Sequence, residues 1–259
     1  MSSYEEFKQE CRAEIAALGA DGALQKATRE WMDRANGLKY SYHFEWMGRP
    51  IIQYPQDIVA VQELIWTVRP DLIIETGVAH GGSLIMSASM LALLDLCDAI
   101  ESRATMNPVT SNRKVVGVDI EIRAHSRKAI QSHPMSSRIQ MVEGSSIDAR
   151  VLSEVTQAAK GHDRVLVFLD SMHTHAHVFA ELEAYAPLVS AGSYCVVFDT
   201  VIDDMPADSF PDRPWGPGNN PKTAVREFLA RHNNFEVDHE FDDKLLITVA
   251  PGGFLKRLS

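Results

Sequence analysis

The sequence predicts an α/β fold: a doubly wound, mostly parallel sheet with an antiparallel last strand, preceded by a helical N-terminal extension. Three observations carry that reading. From residue 72 onward, short apolar runs alternate with segments of helix length, which implies right-handed crossovers between parallel strands. Near the C-terminus the alternation stops and two short apolar runs follow one another. The first forty residues show helical periodicity and no strand pattern.

Taken in order, Phe7, Cys11, Ile15 and Leu18 recur at helical spacing, and a second helix covers Leu24–Ala35 after Gly22. An aromatic loop, YSYHFEWMGRP, occupies 40–50. A helix over Gln56–Val68 is opened by Pro55 and closed before Pro70. The expected buried strands are Leu72–Glu75, Val115–Asp119, Ile139–Val142, Val165–Asp170 and Tyr194–Asp199. Helices over Gly82–Leu96, Arg123–Ser132, Asp148–Ala159 and His175–Leu188 connect them. Pro221–Arg231 reads as a helix capped by Asn220. Phe235–His239 and Lys244–Val249 then read as two strands joined by the turn EFDD.

Two insertions interrupt the pattern. Asp98–Lys114 is expected to be a surface loop. Thr200–Pro221 is dense in Pro, Gly and Asp and leaves the carboxyl end of the fifth strand, the edge where open α/β sheets bind ligands. It is expected to be a lid. With no internal repeat or long linker, the whole chain, 1–259, is expected to form one domain. Residues 1–70 would be the extension and 71–259 the core, with the lid at 200–221.

Composition excludes several classes. At 45% hydrophobic residues the chain is not disordered as a whole, and a net charge of −10 disfavours wrapping nucleic acid. Cys11, Cys97 and Cys195 show no CxxC spacing and read as reduced thiols of a cytoplasmic protein. The opening MSSYEEFKQE lacks an apolar signal core. Leu84–Ile100 is interrupted by Asp95 and Asp98, which marks a core helix and not a membrane span.

The chemistry is expected at the strand tips. The first ends in Glu75-Thr-Gly77-Val-Ala-His-Gly81-Gly82-Ser83, whose glycines permit close backbone approach to a ligand at a helix N-terminus. They serve equally well as packing glycines. A carboxylate here repels a pyrophosphate and attracts a cationic amino group, and the spacing is not GxGxxG. Asp119 ends the second strand, where an acid either accepts bonds from both ribose hydroxyls or caps a helix. After the third come Ser145 and Ser146, small hydroxyl residues suited to an adenine edge, and Asp148, which reads as a helix cap. Asp170 and Asp199 end the fourth and fifth. As neighbours they would raise each other's pKa or share a hard cation, magnesium, manganese or calcium in preference to zinc. His173 lies one helical turn beyond Asp170, placed to take a proton. His175 and His177 read as structural or surface residues.

Four stretches together resemble the cephalosporin hydroxylase-like family, which includes rhamnosyl O-methyltransferases. They are WMGRPIIQYPQD (46–57), IIETGVAHGGS (73–83), LDSMHTHAHV (169–178) and PGGFLKRL (251–258). The resemblance runs from about Tyr42 to the end. It implies a Rossmann-like class I methyltransferase sheet and O-methylation of a sugar, glycoside or natural-product hydroxyl. The cofactors implied are S-adenosylmethionine and Mg2+ (or Mn2+). Glu75, Gly77, Gly81 and Ser83 would hold the methionine end, Asp119 the ribose, and Ser145 or Ser146 the adenine. Asp170 would be a metal ligand touching the cofactor, His173 the base and Asp199 the second ligand. Many relatives carry Glu-Asp where this chain has Phe198-Asp199, so Thr200, Asp203 and Asp204 are the candidates for a third ligand, Thr200 foremost.

The aromatics of Tyr40–Trp46 and Trp215 would wall the acceptor site or pack in the core, and the resemblance draws Gln53 and Asp57 to the pocket. It also implies a homo-oligomer, with the N-terminal helices as interface. Competing readings are an N-methyltransferase or small-metabolite methyltransferase, and an inactive cofactor-binding accessory protein. A nicotinamide dehydrogenase is disfavoured by the glycine spacing. An iron and 2-oxoglutarate oxygenase would need a β-rich jelly roll and an HxD motif, and neither is present.

Overall fold

A computed structural model describes residues 3–259. Helices α1 (Ser3–Ala20) and α2 (Gly22–Gly37) form the N-terminal extension, separated at Asp21, whose side chain accepts from the amides of Ala23 and Leu24. Those amides have no partner within the helix, so an acid at this position stabilises the start of α2. The aromatic stretch is not a plain loop. A short 3-10 turn at Tyr40–His43 leads into the hairpin β1 (Phe44–Trp46) and β2 (Arg49–Ile51). Met47 and Gly48 both take positive φ, as a tight two-residue hairpin turn requires. Helix α3 (Pro55–Val68) follows.

The main sheet comprises β3 (Leu72–Thr76), β4 (Lys114–Asp119), β5 (Ile139–Glu143), β6 (Val165–Leu169), β7 (Tyr194–Val197), β8 (Phe235–Val237) and β9 (Phe254–Arg257). Their spatial order is β5-β4-β3-β6-β7-β9-β8. The five strands from β5 to β7 are parallel, and β9 runs antiparallel to both its neighbours. Successive residues of one strand serve opposite layers. Ile73, Leu166 and Val196 pack with α3, with α4 (Gly82–Ser102) and with α5 (Ala124–Gln131) on one face. On the other, Ile74, Val167 and Val197 pack with α6 (Ala149–Ala159), α7 (His175–Tyr185) and α8 (Pro221–Arg231). Burial on both faces is why these strands read as unbroken apolar runs. Strand order reverses between β3 and β6, which opens a crevice at their carboxyl ends.

The structure corrects three sequence expectations. Lys244–Val249 is not a strand. EFDD lies inside α9 (His239–Leu245), capped by Asp238, and the last strand forms at Phe254–Arg257. Its Phe254 and Leu255 are fully buried, whereas residues 246–253 form neither helix nor strand. Secondly, α4 continues to Ser102 in place of a loop from 98, because Asp95 and Asp98 on its outer face pair with Arg113, Arg138 and Arg69. By length and composition α4 could cross a membrane, but its first half is buried against the sheet. Thirdly, β6 stops at Leu169 and β7 at Val197, so Asp170 and Asp199 stand beyond the strand ends. Core packing was one of the two roles expected of the aromatic segment: Tyr40, Trp31, Phe44 and Tyr54 pack on one another, and Trp46 donates to Ser89 of α4 at 2.9 Å. Helix α1 buries none of its residues and lies against α9.

Candidate active site

The crevice is built from the tips inward. Asp170 donates its amide to the Thr76 carbonyl at 2.9 Å, and the Gly77 amide reaches the Val118 carbonyl at 2.8 Å, which ties β6, β3 and β4 together at their ends. Glu75 is buried and its carboxylate accepts from the Ser87 hydroxyl. Burial pushes this carboxyl up to about 7 against the opposing bonds from Ser87 and Ser83. The glycines beside it face protein. A Cβ on Gly77 would meet the Asp170 carbonyl oxygen at 1.9 Å, one on Gly81 the Ile130 side chain at 2.5 Å, and one on Gly82 the Pro50 carbonyl oxygen at 2.2 Å. The loop therefore seats β2 and β6 against the start of α4. Asp119 is half-buried, and its carboxylate accepts from Val78 N at 2.8 Å and Ala79 N at 3.2 Å, so it shapes this same loop.

Beyond β5, Ser145 is half-exposed and Ser146 buried, with Asp148 capping α6 as expected. The Ser146 hydroxyl lies 3.0 Å from His177 Nε2, which also lies 3.2 Å from the Ser171 hydroxyl. Ser171 donates to Glu181 at 2.7 Å. Glu181 is fully buried, and sequence reading missed it. The available signal was an acid one helical turn after His177 on the apolar face of α7. His175 points away, bridging α7 to Thr223 and Glu227 of α8 at 2.8 Å each.

At the next two tips, ligand atoms of Asp170, His173 and Asp199 all lie within 4.8 Å of one another. His173 Nε2 stands 3.2 Å from the Asp199 carboxylate. Asp199 adopts a left-handed backbone, φ 57°, so the chain turns sharply out of β7 and presents the carboxylate beside Asp170. Asp tolerates this conformation better than most residues, and such strain collects at functional sites. Burial, then the charges of Asp199, Glu75 and Glu181, holds the Asp170 carboxyl well above its ordinary range. Two adjacent carboxyl groups with an imidazole alongside form a donor set that fits a hard divalent cation.

The three third-ligand candidates are engaged elsewhere. The Thr200 hydroxyl is buried and donates to the Pro251 carbonyl at 2.9 Å, which corrects its place in the expected metal set. Asp203 accepts from Gly218 N, Asn220 and Arg226, and Asp204 pairs with Lys222. These contacts pin the lid to α8, and Trp215 from the lid sets its ring edge-on to His173, centroids 4.9 Å apart.

The N-terminal segment closes the crevice. Gln53, just past β2, donates its amide nitrogen to Asp170 Oδ2 at 3.2 Å, and its oxygen Oε1 is buried without a partner. Gln53 shares a cavity with Glu75, Thr76, Ser83, Ser87, Asp57 and Asp170. Asp57 is fully buried and accepts from the Thr248 hydroxyl and from Val249 N at 3.0 Å. Burial, against those two bonds, lifts its carboxyl to about 7. An unmet acceptor beside a buried carboxylate, at the N-terminus of α4, fits the amino-acid end of a charged cofactor.

Residues 38–258 match the family model of the rhamnosyl O-methyltransferase/CmcI proteins. A curated relative, a rhamnosyl O-methyltransferase of Mycobacterium bovis (strain BCG / Pasteur 1173P2), is 30% identical over 217 residues, covering 82% of this chain and 77% of the relative. Its counterpart in Mycobacterium leprae (strain TN) is 27% identical over 213 residues, 82% of each chain. Among solved structures, CmcI with magnesium and S-adenosylmethionine superposes with a TM-score of 0.55 at 16% identity over 84% of this chain and 78% of that one. Apo CmcI gives 0.54 at 18% identity over 84% and 77%. At these identities the structural likeness speaks for the fold.

Proposed function

The chain belongs to the rhamnosyl O-methyltransferase/CmcI family, and from that premise we propose that it methylates a sugar hydroxyl of a glycoside, polysaccharide or natural product, using S-adenosylmethionine and a divalent cation. The observation that carries the reading is the convergence of Asp170, His173 and Asp199 on one point beside the Glu75 loop. Asp170 and Asp199 hold Mg2+ or Mn2+, and His173 takes the acceptor proton on its imidazole. Glu75, Ser83 and the backbone of Gly77 and Gly81 would cradle the methionine end, Asp119 the ribose, and Ser145 or Ser146 the adenine. When bound, the cofactor would supply a methyl carried on a sulfonium that leaves as the neutral thioether, and the cation would lower the pKa of the acceptor hydroxyl.

The remaining work belongs to the chain. Trp215 backs the His173 ring and Asp199 faces its Nε2, so the imidazole keeps one orientation. The pinned lid sets Trp215 against His173, and alignment of acceptor and methyl is the larger share of the rate gain, of order 7 kcal/mol or more for ideal orientation. We read residues 1–259 as one such domain, cytoplasmic and homo-oligomeric. The exposed Tyr4, Phe7 and Trp31 of the N-terminal helices, with Leu38 just past α2, support an interface there.

The test separates ligand from base. In Mn2+ titrations followed by electron paramagnetic resonance, Asp199→Asn is expected to lose binding about tenfold or more. His173→Gln should keep binding while losing S-adenosylhomocysteine production from candidate glycosides about 100-fold or more. Full turnover in His173→Gln, or with chelator present, would sink the metal and base assignment. S-adenosylmethionine binding without metal binding or turnover on any glycoside would favour the accessory-protein reading, which Phe198 and the engaged Asp203 and Asp204 support.

A further inference from the structure

We propose that Gln53 recognises the α-ammonium group of the cofactor, its side-chain oxygen accepting from the ammonium while its amide nitrogen holds Asp170. The inference rests on the methyltransferase reading and adds a residue from outside the sheet to the cofactor site. The bond from Gln53 Nε2 to Asp170 Oδ2, 3.2 Å, turns the nitrogen end of the amide toward Asp170. The other end, Oε1, is then left buried and unmatched. Folded proteins seldom leave a buried carbonyl so, and it needs a donor.

The cavity around it offers no free donor of the right charge but several acceptors. Glu75 is a buried carboxylate in the same cavity, and the Ser83 hydroxyl opens α4 beside it. One group meets both needs: an alkylammonium with three N–H bonds, able to bond the Gln53 oxygen and the Glu75 carboxylate together. The position of Gln53 is itself enforced. Pro50 lies so close to Gly82 that a Cβ there would reach the Pro50 carbonyl carbon at 2.6 Å and the Ile51 Cα at 2.7 Å. This seating of β2 on the first turn of α4 brings the next residues of the chain over the cavity. The same side chain thus touches both the cofactor cradle and Asp170.

The experiment is calorimetric binding to the full-length, metal-free protein of S-adenosylhomocysteine and of its deaminated analogue, in which hydrogen replaces the amine. The wild type is expected to prefer S-adenosylhomocysteine. Gln53→Met should weaken it by about tenfold or more and leave the analogue unchanged, so the preference collapses. Gln53→Glu, which keeps an acceptor, should retain the preference and serves as the readout if Gln53→Met does not fold. Equal weakening of both ligands by Gln53→Met overturns the proposal, as does an unchanged preference accompanied by lost Mn2+ affinity. Failure of the wild type to bind S-adenosylhomocysteine overturns the methyltransferase reading and this inference with it.

Discussion

Asp57 and Glu75 are carboxyls folded into places where water does not follow, and both titrate near 7 for that reason. Each has a folded pKa above its unfolded value, so the folded state binds more protons between about pH 4 and 7. Their contribution to stability is complete below about pH 4 and is lost as pH rises through 7. Each group contributes at most about 1.4 kcal/mol per pH unit to that slope. Asp57→Asn is expected to flatten the decline of melting temperature between pH 5 and 8 and to be the more stable form at pH 8. The amide can keep both contacts, accepting from Val249 N and donating to a reoriented Thr248 hydroxyl. A parallel decline in wild type and variant would show that Asp57 does not titrate in this range. At this scale the sequence was informative about Glu75, Asp170, His173 and Asp199, because each sits at a strand tip where an acid or imidazole has no packing role. It did not reveal the Asp57–Thr248 pair or Glu181. Their partners lie far away in sequence or on the next turn of a buried helix face, and no periodicity marks a bond across 191 residues.

The lid is the element whose behaviour the structure most changes. A stretch rich in Pro, Gly and Asp reads as loosely held, yet Asp203 accepts from Gly218 N at 3.0 Å, Asn220 at 2.7 Å and Arg226 at 2.8 Å. These bonds hold the Asp203 carboxyl below the usual range against the opposing effect of burial, so the anchor persists above about pH 4 and weakens below it. Asp203→Ala should cost about 1–3 kcal/mol. It should also raise deuterium uptake in 213–220 without changing uptake in β3 or β6. Unchanged lid protection would mean that other contacts hold it. The C-terminal elements show the opposite lesson. Leu245, Leu246, Ile247 and Val249 look like a strand in sequence, but the Asp238 cap starts a helix ahead of them, and the Gly252-Gly253 turn delivers Phe254 and Leu255 to the sheet instead. Gly253 approaches the Val197 carbonyl so closely that a Cβ would lie 2.1 Å from it, a contact invisible to pattern reading.

For the molecule as a whole, a ligand that binds only the folded state stabilises it by mass action. S-adenosylhomocysteine at 100 times its Kd should add about 2.7 kcal/mol. At roughly 2–4 °C per kcal/mol for a chain of this size, that is an upward melting shift of about 5–11 °C. NADH should give none; a shift with NADH alone would restore the dehydrogenase reading. The parallel order of the sheet, its crossovers and the ordered acids at successive tips were determined by the sequence alone, since apolar period, turn residues and strand length are local properties that each segment carries with it. Only the tertiary structure decided which acids meet. Asp170 and Asp199 face one another because β6 and β7 pair in register, Thr200 turns inward because the chain leaves β7 with a positive φ, and Gln53 reaches Asp170 because a hairpin is seated on a glycine more than thirty residues away. Contacts of that kind depend on where elements pack, which is set by burial summed over the whole core and not by any short stretch of chain.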